Sequence, residues 1–178
     1  MTESEPVPQP APQSSPAPPA PGAAAPSGAF PAHAETAEQI AANLAAVRAR
    51  IDAAAARAGR DASQIRLLPV TKTVPEERLR AAHAAGITQM GENKVQEAAR
   101  KAQNLADLGI HWAMIGHLQT NKAKDVAAFA HEFQALDSLR VAEALDRRLQ
   151  AAGRGLDVYV QVNSSADQIG RASCRERV

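Results

Sequence analysis

A single cysteine, Cys174, stands in a chain of 178 residues, so no disulfide framework is available and a reducing, cytoplasmic compartment is the default expectation. An excess of one charge is missing too. The formal net charge is +1, which gives no electrostatic ground for binding nucleic acid or a membrane surface. No run is long and apolar enough to span a bilayer. The opening MTESEP places acids where an export signal carries basic residues, and no continuous hydrophobic stretch follows it. There is no GxxxxGK[ST] run, no GxGxxG run and no serine elbow, and no histidine or cysteine pair stands at metal-ligand spacing. No metal site is expected.

Proline is scarce over most of the chain and concentrated at one end. Ten of the 12 prolines lie between Pro6 and Pro31, embedded in Ala, Ser and Gly with almost no large apolar side chain. Such a segment cannot bury enough surface to offset the entropy of ordering it, so residues 1–35 are expected to be a disordered tail.

From Thr36 the pattern changes. Ile40, Leu44, Val47 and Ile51 follow helical spacing, Thr36 and Gln39 suit a capping box, and Gly59 suits a stop. Beyond that helix, short apolar runs alternate with helical segments at steps of about 20 to 25 residues. The expected strands are Ile65–Thr71, Ile87–Gly91, Trp112–Leu118, Phe133–Asp137 and Leu156–Asn163. The expected helices are Glu76–Ala85, Val95–Leu108, Asn121–Ala130 and Leu139–Ala152, with Gly86, Gly109 and Gly153 after the first, second and fourth. Alternation of this kind predicts an α/β fold with a parallel sheet. Two architectures satisfy it. One is a five-stranded doubly wound parallel sheet, complete as it stands; the other is a partial TIM (β/α) barrel of about five βα units, the whole barrel typically needing about 250 residues.

Each expected strand ends in polar residues: Thr71–Lys72, Gly91–Glu92–Asn93, Gly116–His117, Asp137–Ser138 and Asn163–Ser164. In either architecture these ends share one face, where ligands of α/β proteins collect. Lys72 is the sharpest candidate. A lysine partly desolvated at a strand end is a candidate amine nucleophile for a Schiff base; alternatively it snorkels to solvent or pairs with a carboxylate such as Glu92. Asn93 either meets a ligand or caps the next helix. His117 either orients a ligand or is structural. Asn121, Lys122 and Lys124, at a helix start, either hold an anion or form a solvated face.

Taken together, LLPVTKTVP, GENKVQEA, HWAMIGHLQTNKAK, FQALDSLRVAEALD and VYVQVN resemble, in order and spacing, the pyridoxal-phosphate homeostasis proteins of the YggS/PROSC type. The resemblance runs from about Thr36 to Asp167. It implies a barrel of the alanine-racemase N-terminal type that holds pyridoxal 5′-phosphate through a Schiff base to the lysine after the first strand, which is Lys72 here. It also implies that Asn93 lies near the cofactor ring and that His117, Gln119 and Asn121 shape the same mouth. Members of this family are thought to carry or buffer the cofactor without enzymatic turnover, with pyridoxal-phosphate-dependent apoenzymes as recipients, and a complete member would be a monomer. The competing readings are a fold-related racemase or decarboxylase, which needs an opposing acid/base, and a binding module in which Lys72 is structural.

Two departures stand out. Many members carry a histidine after the tryptophan of the third strand, where this chain has Ala113, with His111 on the other side of Trp112. After Asp167 the chain reads QIGRASCRERV, with neither a helical apolar face nor strand alternation. Residues 168–178 are therefore expected to be a non-family tail, from a truncated or frame-shifted reading, and 36–167 a partial cofactor-binding barrel.

Overall fold

The computed structural model describes residues 34–162. Most of the expected N-terminal tail, the end of the fifth expected strand and the segment that includes Cys174 lie outside the described residues.

Helix α1, Ala37–Arg57, begins with the capping box foreseen for it: the Thr36 side chain accepts from the Gln39 amide and the Gln39 side chain accepts from the Thr36 amide. It ends before Gly59, whose φ of +61° is left-handed. Helices α2, Glu76–Ala84, α3, Val95–Asn104, α4, Ala123–Phe129, and α5, Leu139–Ala152, follow. Two of these are shorter than their sequence pattern by more than one residue. The α3 pattern runs on to Leu108, but the chain leaves the α-helix at Asn104 and closes with a 3₁₀ turn at Ala106–Leu108 before Gly109. Asn121 and Lys122, expected to open α4, lie instead in a separate 3₁₀ turn, Thr120–Lys122. Short 3₁₀ pieces at helix ends satisfy backbone groups that lack α-helical partners.

Strands β1, Gln89–Glu92, β2, His111–Met114, β3, Glu132–Leu136, and β4, Asp157–Val160, form one parallel sheet in strictly sequential order. The first expected strand, Ile65–Thr71, is reduced to a single bridge, Val70 to Gly91. Gly91 donates to the Pro69 carbonyl at 2.8 Å and accepts from the Thr71 amide at 2.9 Å. Pro69 has no amide hydrogen, so the ladder stops there. The segment still lies on the outer side of β1 and extends the sequential order by one member. A doubly wound sheet reverses its strand order at a switch point; this sheet contains no reversal among the described residues and has the order of an arc of barrel wall.

The helices cover one face. Trp112 and Met90 pack with Leu79, Leu105 and Ile110, while Met114 and Phe133 pack with Val95, Val126, Val141 and Leu145. The alternate residues face the concave side, as a two-residue strand period requires. There Arg66 forms a bidentate pair with Glu132, Nη1 to Oε2 at 2.5 Å and Nη2 to Oε1 at 2.6 Å, and Gln134 also donates to Glu132. In a flat sheet, three strand spacings of about 4.8 Å would hold Arg66 and Glu132 about 14 Å apart, so their contact accompanies a strongly curled sheet.

The Arg66 guanidinium holds the Glu132 carboxyl below the usual glutamate range against the opposing effect of burial. A lowered folded-state pKa stabilises the fold above the ordinary glutamate value, and the contribution disappears as pH falls through the folded one. Glu132→Gln should therefore lower stability by about 1–3 kcal/mol at neutral pH, and its urea midpoint should approach that of the unmodified chain in acid. Equal differences in midpoint at pH 7 and pH 3 would show that the pair does not contribute through charge.

Candidate functional site

The strand ends form one rim. The Ile115 amide donates to the Glu92 carbonyl at 2.9 Å, and Gly116 sits so close to Asn93 that a Cβ at 116 would lie 2.3 Å from the Asn93 carbonyl oxygen. Only glycine permits that approach. Beyond it, His117 Nδ1 lies 2.9 Å from Asp137 Oδ2, joining the rim after β2 to the rim after β3. His117, Asn121, Ser138 and Arg140 share the lining of an open cleft of about 400 Å³. Three expected site residues, His117, Gln119 and Asn121, are thus brought into one cleft. Lys72 and Asn93 are not part of its lining; both are exposed on the neighbouring part of the rim.

Lys72 is placed by a turn. The Val74 amide donates to the Thr71 carbonyl at 3.1 Å, and Thr73, third of the four residues, has a φ of +63°. A β-branched residue rarely adopts that conformation, at a cost on the order of 1–3 kcal/mol unless its surroundings hold it. Here they do. The Thr73 amide donates to Glu97 Oε1 at 2.9 Å, and the Thr73 hydroxyl donates to the Lys72 carbonyl at 2.6 Å.

Beneath the turn lies a residue that the sequence reading passed over. Lys101, on α3, is 1% exposed. Its ammonium donates to the Thr71 carbonyl at 2.8 Å, to Glu92 Oε1 at 2.8 Å and to Glu97 Oε1 at 2.9 Å, so all three donors are used. The Thr71 hydroxyl donates to the same Glu92 oxygen at 2.7 Å, while Glu92 Oε2 is buried without a partner among the described residues. Lys101, and secondarily the Thr73 amide, hold the Glu97 carboxyl below the usual glutamate range.

These contacts narrow the alternatives for Lys72. Glu92 was a possible partner for Lys72, but it is committed to Lys101. Of the alternatives left for Lys72, partial desolvation or a side chain reaching solvent, the structure has the second: the side chain is exposed, and its ammonium has no hydrogen-bond or ion-pair partner among the described residues. The site therefore presents a primary amine, unpaired among the described residues, on a held turn, a nucleophile suited to an aldehyde. Among the described residues no group of three or more His, Cys, Asp or Glu could hold a metal ion, and no helix is long and apolar enough to cross a membrane.

A family model described as the alanine racemase N-terminal domain matches residues 42–177. The chain belongs to that family. Curated relatives of this alanine racemase N-terminal domain chain include the pyridoxal phosphate homeostasis proteins of Pseudomonas aeruginosa, 43% identical over 72% of this chain and 56% of the relative, and of Escherichia coli, 42% identical over 71% and 55%. Among solved structures, an unknown protein from Bifidobacterium adolescentis matches with a TM-score of 0.67 at 35% identity, over 74% of this chain and 58% of that one. PipY of Synechococcus elongatus with PLP bound matches at 0.60 and 32% identity, over 75% and 64%. The chain spans about half the length of the curated relatives it matches. The barrel expectation for the fold agrees with these matches and with the strand order.

Gly116→Ala should destabilise the protein by about 1–3 kcal/mol, because the clash is with backbone that cannot rotate away. The thermal unfolding midpoint measures this. A substitution without effect would mean that the rim after β1 and the rim after β2 are not in contact.

Proposed function

We propose that this chain holds pyridoxal 5′-phosphate through Lys72 and that its role is cytoplasmic carriage and homeostasis of that cofactor rather than turnover. The observation that carries this reading is the exposed amine of Lys72, without a partner among the described residues, on a braced turn at the carboxyl end of the sheet. Lys72 Nζ, once deprotonated, would add to an aldehyde carbon and form a Schiff base as the aldehyde oxygen leaves as water; hydrolysis returns both partners unchanged. The bound group supplies a reversible covalent anchor and a masked aldehyde. Reversibility is what a carrier requires, since apoenzymes can then receive the cofactor.

The remaining assignments follow from the same rim. Asn93, beside Gly116, and His117 and Asn121, in the cleft, would border the ring. Arg140 and Ser138 add a cation and a hydroxyl to that cleft. In barrels of this kind the phosphate cup commonly forms from the loops after strands seven and eight, so the described units would supply chiefly the aldehyde end of the site. A carrier also needs no catalytic acid or base opposite the lysine.

Substoichiometric pyridoxal 5′-phosphate, borohydride reduction and peptide mapping of the full chain test the assignment. Label should favour Lys72 over Lys94, Lys122 and Lys124 by roughly tenfold, equivalent to about 1.4 kcal/mol. Label spread evenly over these lysines would remove Lys72 from the role.

A further inference from the structure

We propose that Glu97 and Lys101 are positioning residues: through the Thr71–Val74 turn they hold the Lys72 amine in the orientation in which it meets an aldehyde. The inference rests on the cofactor reading above and extends it to residues that do not touch the cofactor.

Three features converge. First, Thr73 stands at φ +63°, in a conformation that its β-branched side chain disfavours. Left alone, such a turn would relax, and the residue before it would turn with it. Second, each end of the turn is tied to the same buried group. Lys101 binds the Thr71 carbonyl on one side of Lys72, and Glu97, itself bound to Lys101, accepts from the Thr73 amide on the other. Third, the tie is charged and buried. The Lys101 ammonium and the Glu92 carboxylate are almost fully removed from water, so Lys101 is not released without leaving the Glu92 carboxylate buried and uncompensated. Lys72 itself has no other restraint on its side chain among the described residues. The backbone turn is therefore what aims its amine.

The alternative role for this cluster is structural: an ion pair that docks α3 on β1 and happens to lie under the turn. The two roles differ in how they respond to relieving the strain. Glu97→Ala removes the hydrogen bond to Thr73 while leaving Lys101 paired with Glu92, and Glu97 is 19% exposed, so the fold should survive. Thr73→Gly permits φ +63° without a brace. If the brace acts through the turn, Thr73→Gly should rescue Glu97→Ala; if it only docks the helix, the glycine should not help.

Two readouts on the full chain decide this. Hydrogen exchange of the Thr73 amide needs no cofactor. It should accelerate roughly three- to tenfold in Glu97→Ala, as expected for losing one hydrogen bond, with the amides of α3 and β1 unchanged. Borohydride trapping of pyridoxal 5′-phosphate should shift away from Lys72 toward the other exposed lysines by a similar factor, and Glu97→Ala/Thr73→Gly should restore the preference. Glu97→Gln, which keeps an acceptor oxygen, should lie close to the unmodified chain. If Glu97→Ala loses α3 protection as well, the role is structural and the proposal is wrong. It is equally wrong if Lys72 captures the cofactor in Glu97→Ala as well as in the unmodified chain, or if the glycine restores nothing. Should the unmodified chain show no preference for Lys72 at all, the cofactor reading fails instead, while amide exchange still reports whether Glu97 braces the turn.

Discussion

The structure around the rim depends on the burial of one ammonium group. Taking a lysine out of water costs several kcal/mol unless its charge is paired and its donors are used, and Lys101 meets that requirement in only one arrangement. It must face the end of β1 to reach Glu92, remain one helical turn from Glu97, and lie under the carbonyl of Thr71. Helix α3 therefore has little freedom to slide or rotate on the sheet. The turn that carries Lys72 is tied to the same cluster at both ends, by the bond from Lys101 to the Thr71 carbonyl and by the bond from the Thr73 amide to Glu97, so a charge placed for docking also determines the local geometry of the exposed lysine.

Curvature supplies the second constraint. Parallel strands in sequential order can continue around a closed wall only if each is tilted and rotated against the last. On the concave side this brings Arg66 to Glu132 across two intervening strands. On the carboxyl rim it presses Gly116 against Asn93 and sets His117 beside Asp137. Residues far apart in sequence thus come to one mouth because the sheet curls. The other end of the same strands carries a stacked histidine pair, His111 and His131, with ring centres 4.5 Å apart. The Nδ1 of His131 accepts from the Trp112 amide, and burial keeps His131 less basic than an ordinary histidine.

Much of this was legible in the sequence where local chemistry decides it. The Thr36 capping box and the stops at Gly59, Gly86 and Gly153 mark helix ends, because capping and left-handed glycine act over a few residues. The polar strand ends mark the rim. The first strand was misread because an apolar run looks the same whether or not its amides can pair, and Pro69 cannot donate. Lys101 was missed because Glu97 and Lys101, four apart on a helix, look like an ordinary surface pair. A signal was nevertheless present. Position 101 falls three residues after Ala98 and four before Leu105, both buried, so it lies on the apolar stripe of α3, where a lysine requires a partner. The choice between a barrel arc and a doubly wound sheet was closed to periodicity, since strand order depends on crossovers that both folds share locally.

The support for Lys72 and the cleft lie in different units. The turn, its brace and their buried anchor all fall between Thr71 and Lys101, within the first two βα units, while His117, Asn121 and Arg140 belong to the third and fourth. At the far edge, Val158, Tyr159, Val160 and Val162 are exposed along and just beyond β4, which is the kind of surface that a further strand covers in a closed wall. The brace on Lys72 contains no residue from that edge. Capture of an aldehyde depends on how the amine is aimed, whereas retention depends on how many groups close around the rest of the ligand. Under the proposed function, the first would be a local property of α3 and the turn it holds, and the second a property of the whole wall.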